Sequence, residues 1–122
     1  MYCRIRLKDT NYQEYHNYQI LGSSSFEKCF EIYKEYILYK GFEDTVPIFR
    51  EEFEIPHSDI IGYYDGNELA AFTIVYKFKS VNSVWGDQFA WNYRNKKLSL
   101  GHVANKNEIA LYKRLGYDYY YL

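Results

Sequence analysis

The last third of the chain decides the fold, and residues 84–122 have the sequence VWGDQFAWNYRNKKLSLGHVANKNEIALYKRLGYDYYYL. The first nine of these residues are rich in the aromatic and branched side chains that favour strands, and Gly86 among them indicates a β-bulge. If the register is unbroken, alternate side chains share one face of the strand. Those side chains are Trp85, Asp87, Phe89 and Trp91.

A helix follows this strand. The spacing predicts it from about His102 to Leu115, where Gly116 supplies a left-handed stop. The final residues, YDYYYL, are again typical of a strand. Because a strand-helix-strand crossover is right-handed and joins parallel strands, the two strands are expected to be parallel with the helix on one face.

Upstream, two further patterns predict a sheet. Residues 2–8 alternate apolar and polar side chains, which indicates a strand with one buried face. Residues 60–78 contain two strand-like runs around Asp65, Gly66 and Asn67, a combination typical of a tight hairpin. Residues 9–22 are polar and without clear period, so they are predicted to be a connection.

One helix is predicted between these strands. Ser24 with Glu27 forms a capping box, and apolar residues then recur at helical spacing to about Tyr39, before Gly41. Residues 44–53 carry a weaker helical signal. The predicted class is therefore α/β (α+β), with a mixed sheet of about five strands: an antiparallel meander and one parallel crossover.

Composition limits the class of protein. With 122 residues the chain fits a single domain, and its 15 basic and 16 acidic side chains nearly cancel, which predicts no global attraction to nucleic acid or a membrane. No stretch has the length of a membrane span or of a signal peptide, so a cytoplasmic protein is expected. The 16 tyrosines suggest an AT-rich genome, as in phages and marine bacteria.

Metal and disulfide chemistry are not expected. Cys3 and Cys29 lie in apolar patterns without a CxxC motif and are predicted to be reduced core thiols. The three histidines, His16, His57 and His102, show no ligand spacing with one another or with the cysteines. Stacking of nucleobases on the aromatic residues is a weaker alternative, because most of them alternate with strand period and should fill the core.

Several of these segments together resemble a known superfamily. The hairpin of residues 60–76, the strand QFAWN, the turn LSLG, the helical NEIALYKRLGY and the closing YYYL are similar to the C-terminal, GNAT-like half of arginyl- and leucyl-tRNA-protein transferases. Residues 105–117 also resemble the late GNAT motif, N-x-x-A-x-x-L-Y-x-x-x-G-F. The resemblance implies one GNAT-like domain over residues 1–122 that lacks the usual last hairpin.

The resemblance also implies a donor site at the turn into the last helix. Its residues would bind the pyrophosphate of acyl-CoA, an acetyl-CoA-like donor, through helix amides and nearby lysines. These predicted residues are Lys96, Lys97, Ser99, Leu100, Gly101 and His102. Of the superfamily's phosphate-loop glycines, only Gly101 is present.

Three residues are candidates for catalysis. The resemblance implies Asp87 as the base that accepts the amine proton and Tyr112 as the acid that returns one. Glu108 lies on the helix stripe with Ala104, Leu111 and Leu115, so it is predicted to point inward and to need a partner. A structural salt bridge and a catalytic role both fit such a residue.

Two functions from different classes follow. The first is an N-acyltransferase that uses acyl-CoA or an aminoacyl-tRNA to acylate a small-molecule or peptide amine. The second is a non-catalytic interaction module on a degenerate GNAT fold. The missing hairpin would leave the last strand as an exposed edge, which predicts a homodimer.

Overall fold

A six-stranded mixed sheet forms the centre of the computed structural model, which describes residues 3–41, 50–53, 56–91 and 100–122. The confirmed fold class is α+β, with one more strand than predicted. The elements are β1 (Arg4–Arg6), β2 (Tyr18–Leu21), α1 (Phe26–Lys40), β3 (Ser58–Asp65), β4 (Glu68–Phe78), β5 (Ser83–Trp91), α2 (Leu100–Arg114) and β6 (Tyr119–Tyr121).

The strands lie in the order β1-β6-β5-β4-β3-β2. Among the strands that the structure describes, only β5 and β6 form a parallel pair, which confirms the predicted crossover through α2. The hairpin between β3 and β4 turns at Gly66, whose φ of +61° suits the tight turn that the sequence predicts. The prediction of a connection over residues 9–22 was wrong in part, because residues 18–21 form β2 and pair with β3.

The expectation of an exposed last strand was also wrong. β1 pairs antiparallel with the outer edge of β6, from Arg4 with Tyr121 to Arg6 with Tyr119. Two further backbone hydrogen bonds extend this pairing, from Leu7 N to Asp118 O at 2.9 Å and from Leu122 N to Cys3 O at 2.9 Å. β1 therefore covers the outer edge of β6.

α1 packs on one face of the sheet. Cys29 on this helix is buried with Phe72 and Ile74 of β4 and Ile60 of β3. The helix begins at Phe26 after a 3₁₀ turn, and its N-cap is Ser25, one residue after the predicted Ser24, with no hydrogen bond from the Ser25 side chain. The predicted stop at Gly41 is confirmed.

α2 packs on the opposite face, where it buries a second cluster. Ala104, Ile109 and Leu111 contact a core that includes Val84 of β5 and Tyr120 of β6. The helix ends one residue before the predicted position, and Leu115 is exposed rather than inward. None of the described helices is long and apolar enough to cross a membrane.

Two smaller predictions concern the cysteines and residues 44–53. Cys29 is buried, as predicted, and burial raises the pKa of its thiol to about 12, whereas Cys3 is exposed. Of the weaker helical signal over residues 44–53, the part that the structure describes is a 3₁₀ turn, Arg50–Phe53. Residues 44–49 lie outside the described residues.

Candidate functional site

The two parallel strands stay paired for only three residues. Ser83, Val84 and Trp85 of β5 pair with Tyr119, Tyr120 and Tyr121 of β6. β5 continues to Trp91, but no described strand pairs with this edge after residue 85. We call the region beside this part of β5 the gap; it lies toward the carboxyl end of the strand, where ligands of such sheets commonly bind.

A β-bulge lies where the gap begins. In the ladder between β4 and β5, Val75 pairs with Gly86 and Ile74 with Gln88, so Asp87 is the extra residue. The predicted bulge is confirmed, and because it breaks the register, the condition for a common face of the four side chains is not met. Trp85 stacks on Tyr76, on the face of the sheet that α1 covers. After the bulge, Phe89 and Trp91 point to the other face and pack against the α2 core.

Gly86 is required by a close approach. A Cβ at this position would overlap the Tyr120 hydroxyl oxygen and lie 3.1 Å from the ring carbon that carries it. The Tyr120 ring therefore lies directly against the β5 backbone at the bulge, on the face that α2 covers. Any larger residue at position 86 would push the two strands or the ring apart.

Behind this contact lies a buried carboxyl group. Glu108 of α2 is 1% exposed, and its two oxygens accept hydrogen bonds from Tyr120 and, at 2.6 Å, from Tyr63. The Asn107 amide donates to the Tyr63 hydroxyl at 3.2 Å and accepts from the Tyr15 amide at 2.7 Å. The inward orientation predicted for Glu108 is confirmed, with hydroxyl partners rather than a salt bridge.

Burial governs the protonation of this cluster. Removal of Glu108 from water raises its pKa, and the hydrogen bonds from Tyr120 and Tyr63 offset only part of this effect. Burial and the nearby Glu108 also raise the pKa of Tyr63 and Tyr120. The cluster thus favours neutral groups and holds α2 to both β3 and β6.

The start of α2 is the predicted anion-binding position. The helix begins at Leu100, and Gly101 and His102 in its first turn are exposed to solvent. The first amides of a helix have no carbonyl partner within it and carry the positive end of its dipole. Lys96, Lys97 and Ser99 lie outside the described residues. The roles of all six residues in binding stay predictions.

Of the two other predicted catalytic residues, Asp87 lies at the bulge and Tyr112 lies elsewhere. The Asp87 side chain is half-buried and engaged in an interaction. The Tyr112 hydroxyl donates to Asp59 at 2.7 Å, and Asp59 pairs with Lys77 at 3.1 Å. At 1.5 Å per residue, Tyr112 lies roughly 18 Å along α2 from Leu100. The structure thus separates Tyr112 from the start of the helix.

Sequence reasoning missed Tyr63, Tyr120 and Asn107. A signal for them existed, because an inward Glu108 needs hydrogen-bond donors and tyrosine is the commonest candidate in this chain. The sequence did not indicate which of the 16 tyrosines would supply them. Among the described residues, no group of three or more His, Cys, Asp or Glu side chains could hold a metal ion.

Comparison with solved structures identifies the fold of this chain. No protein-family model matches the chain, and no curated protein matches it in sequence. Among solved structures, an aminoglycoside acetyltransferase from an uncultured soil metagenomic sample superposes with a TM-score of 0.64 at 8% identity, over 84% of this chain and 72% of that one. The fold is GNAT-like.

Two other solved structures share it. One is the C-terminal DUF2156 domain of a protein described as a lysylphosphatidylglycerol synthetase from Agrobacterium fabrum, with a TM-score of 0.64 and 9% identity over 87% of this chain. The chain spans only 35% of that structure. The other is a mutant of the BH1408 protein from Bacillus halodurans, with a TM-score of 0.62 and 11% identity over 83% of this chain and 78% of that one.

Proposed function

We propose that the chain is a GNAT-like N-acyltransferase, which transfers an acyl group from acyl-CoA, or an aminoacyl group from aminoacyl-tRNA, to an amine. The observation that carries this proposal is the edge of β5 beyond Trp85, which pairs with β6 no further and with no other strand among the described residues. An extended ligand can add to such an edge through main-chain hydrogen bonds. The pantetheine arm of acyl-CoA is extended and carries two amides, so it fits this edge.

The start of α2 supports the same donor. Leu100 to His102 are at the helix end whose amides and dipole favour an anion, and this end follows β5 in sequence. A pyrophosphate bound there would let the rest of the donor extend along β5 toward the bulge. When bound, acyl-CoA supplies an activated thioester carbonyl to an amine.

Asp87 is the proposed base. It occupies the bulge, where the strand pairing ends, and it is the one carboxylate on β5. In this role its carboxylate accepts the proton that the amine loses on attack, and returns it to the departing thiolate. The acceptor is a small-molecule or peptide amine, and a cytoplasmic location is part of the same proposal.

The second candidate, a non-catalytic interaction module, is favoured by the position of Tyr112. The Tyr112 hydroxyl is bound to Asp59, so the acid expected from the resemblance is engaged away from the start of α2. The homodimer stays a prediction, and because β1 covers β6, strand pairing between copies would use the outer edge of β1 or β2.

Ligand titration tests the first candidate against the second. We expect acetyl-CoA to bind the folded protein with a dissociation constant below about 1 mM in calorimetry, and to raise the melting temperature. Asp87→Asn should keep this affinity but lower turnover with an amine acceptor by about 10²-fold or more. Asp118 is an exposed carboxylate, so Asp118→Asn is the control and should change neither the affinity nor the turnover.

Failure of every acyl-CoA and aminoacyl-tRNA to bind at about 1 mM would contradict the acyltransferase and leave the interaction module. Binding with full turnover in Asp87→Asn would contradict only the role of Asp87. The titration therefore separates the donor site from the catalytic group.

A further inference from the structure

One side chain lies at the inner end of the gap, where the pairing of β5 with β6 ends. The last paired residues are Trp85 and Tyr121, and the Tyr120 ring lies on the α2 face with its hydroxyl against the backbone of Gly86. We propose that Tyr120 limits the donor to short acyl groups such as acetyl, an inference that rests on the acyltransferase function proposed above.

Close packing prevents an acyl chain from passing beside the ring. Tyr120 is 1% exposed, and its core cluster includes the buried residues Val84, Ala104 and Tyr112. Interiors packed in this way contain few voids larger than a water molecule. An acyl chain that extends along β5 toward the bulge would therefore meet the ring within a short distance of Gly86.

The ring is also fixed in place. Its hydroxyl donates to Glu108, which is itself held by Tyr63. If the Tyr120 ring swung aside to admit a long acyl chain, one oxygen of a buried carboxyl group would lose its donor. Such an unpaired buried group is unfavourable. Glu108 is therefore a positioning residue for Tyr120 in this proposal.

The opposite face offers a different environment. There Trp85 stacks on Tyr76, with ring centroids 5.9 Å apart. Beside Trp85, an open depression of about 340 Å³ is lined by Phe78, Val81, Ser83 and Tyr121. A long acyl chain could be accommodated here only if it crossed the sheet at the bulge, so this depression defines the competing outcome of the test.

A series of donors provides the test on the unmodified protein. We expect the affinity measured by calorimetry to fall from acetyl-CoA through butyryl-CoA to octanoyl-CoA, by about tenfold or more overall, since a close-fitting pocket discriminates single methylene groups. Equal or rising affinity along the series would overturn the inference, because the chain would then occupy another space such as the depression beside Trp85.

Variants identify the side chain responsible. Tyr120→Leu should reduce the preference for acetyl-CoA over octanoyl-CoA to less than about threefold, because it removes the ring from the end of the gap. Tyr120→Phe keeps the ring and should keep most of the preference. Tyr119→Leu, the neighbouring change on the opposite face of β6, should leave the preference unchanged.

The outcomes separate the two proposals. If no acyl-CoA binds, the acyltransferase and the chain-length limit both fail. If acyl-CoA binds without a length preference, or if Tyr120→Leu and Tyr119→Leu have the same effect on it, only the role of Tyr120 fails. Circular dichroism of each variant tests whether it is folded. If Tyr120→Leu does not fold, the donor series on the unmodified protein and on Tyr120→Phe still tests the chain-length limit.

Discussion

The core beneath α1 and the core beneath α2 differ in what they bury. On the α1 face, Phe72, Ile74 and Cys29 pack without a charged or hydrogen-bonded side chain among the buried members of the cluster. On the α2 face, Glu108 is buried between α2 and the sheet, together with the Tyr63 and Tyr120 hydroxyls that donate hydrogen bonds to it. The described part of the α1 core is therefore held by apolar packing, whereas the α2 core also fixes particular polar groups beside the gap.

This difference affects how each core responds to substitution. An apolar cluster tolerates changes of shape better than a polar one, because a buried polar network loses stability as soon as one member is unpaired. Natural proteins keep such networks where position matters. The network here lies next to the β5 bulge, which is where the proposed donor site begins.

The largest effect should come from the apolar side. Phe72 is 0% exposed, so Phe72→Ala should lower the free energy of unfolding by about 3–5 kcal/mol, through lost burial and the cavity that remains. Urea denaturation followed by circular dichroism measures this. Phe78→Ala is the control, since Phe78 is 43% exposed and should cost less than about 1 kcal/mol. Equal losses would contradict the assignment of the α1 core.

A somewhat smaller effect is expected from the polar side. Glu108→Leu removes the acceptor of two buried hydroxyls and should cost about 2–4 kcal/mol in free energy of unfolding. In a double-mutant cycle, Tyr120→Phe should cost less in the Glu108→Leu background than in the unmodified protein, with a coupling of about 0.5–3 kcal/mol. Tyr119→Phe serves as the uncoupled control, and equal coupling for both tyrosines would refute the network.

The smallest effect is a dependence on pH. Because burial raises the pKa of Glu108 above its ordinary value of 4.5, the folded state keeps this proton after the unfolded state has lost it. The stabilisation is complete below pH 4.5 and is lost as the pH rises through the raised pKa, with a slope of at most about 1.4 kcal/mol per pH unit.

The Glu108→Gln variant measures this contribution, because its amide does not titrate. As the pH rises above 4.5, the ordinary pKa of this carboxyl group, the unmodified protein should lose stability relative to the variant. Glu14 is expected to show the opposite dependence of stability on pH, since its hydrogen bond with Arg114 lowers its pKa. The stability that Glu14 contributes is lost as the pH falls through this lowered pKa, so Glu14→Gln should change the stability at acid pH. Parallel profiles for the unmodified protein and Glu108→Gln would exclude a raised pKa for Glu108.

Local signals in the sequence predicted the parts of the fold that depend on neighbours in the chain. Gly66 has the left-handed conformation that its turn needs, Gly41 and Gly116 end the two helices, and Gly86 lies at the bulge. For Gly41, Gly66 and Gly116 the requirement is set within a few residues by a positive φ, whereas Gly86 is required by the close approach of Tyr120 from another strand. Such requirements are visible in the amino-acid type itself.

Long-range pairing was not visible in the same way. Residues 18–21 do not alternate in polarity, and they form a strand because the edge of β3 supplies partners for their backbone groups. The pairing of β1 with β6 joins residues more than a hundred positions apart, for which no local pattern exists. For the site, the inward position of Glu108 was predictable from its helical stripe, but the choice of Tyr63 and Tyr120 as its partners depends on this tertiary arrangement.

The position of β1 also constrains how the chain folds. Its partner β6 contains residues 119–121, so β1 cannot complete its ladder until those residues, more than a hundred positions later in the chain, have been synthesised. Closing so long a loop is entropically unfavourable and tends to slow folding. β1 therefore pairs with β6 only after the strands between them have been synthesised, and the opposite half of the sheet, β2 to β4, can assemble earlier.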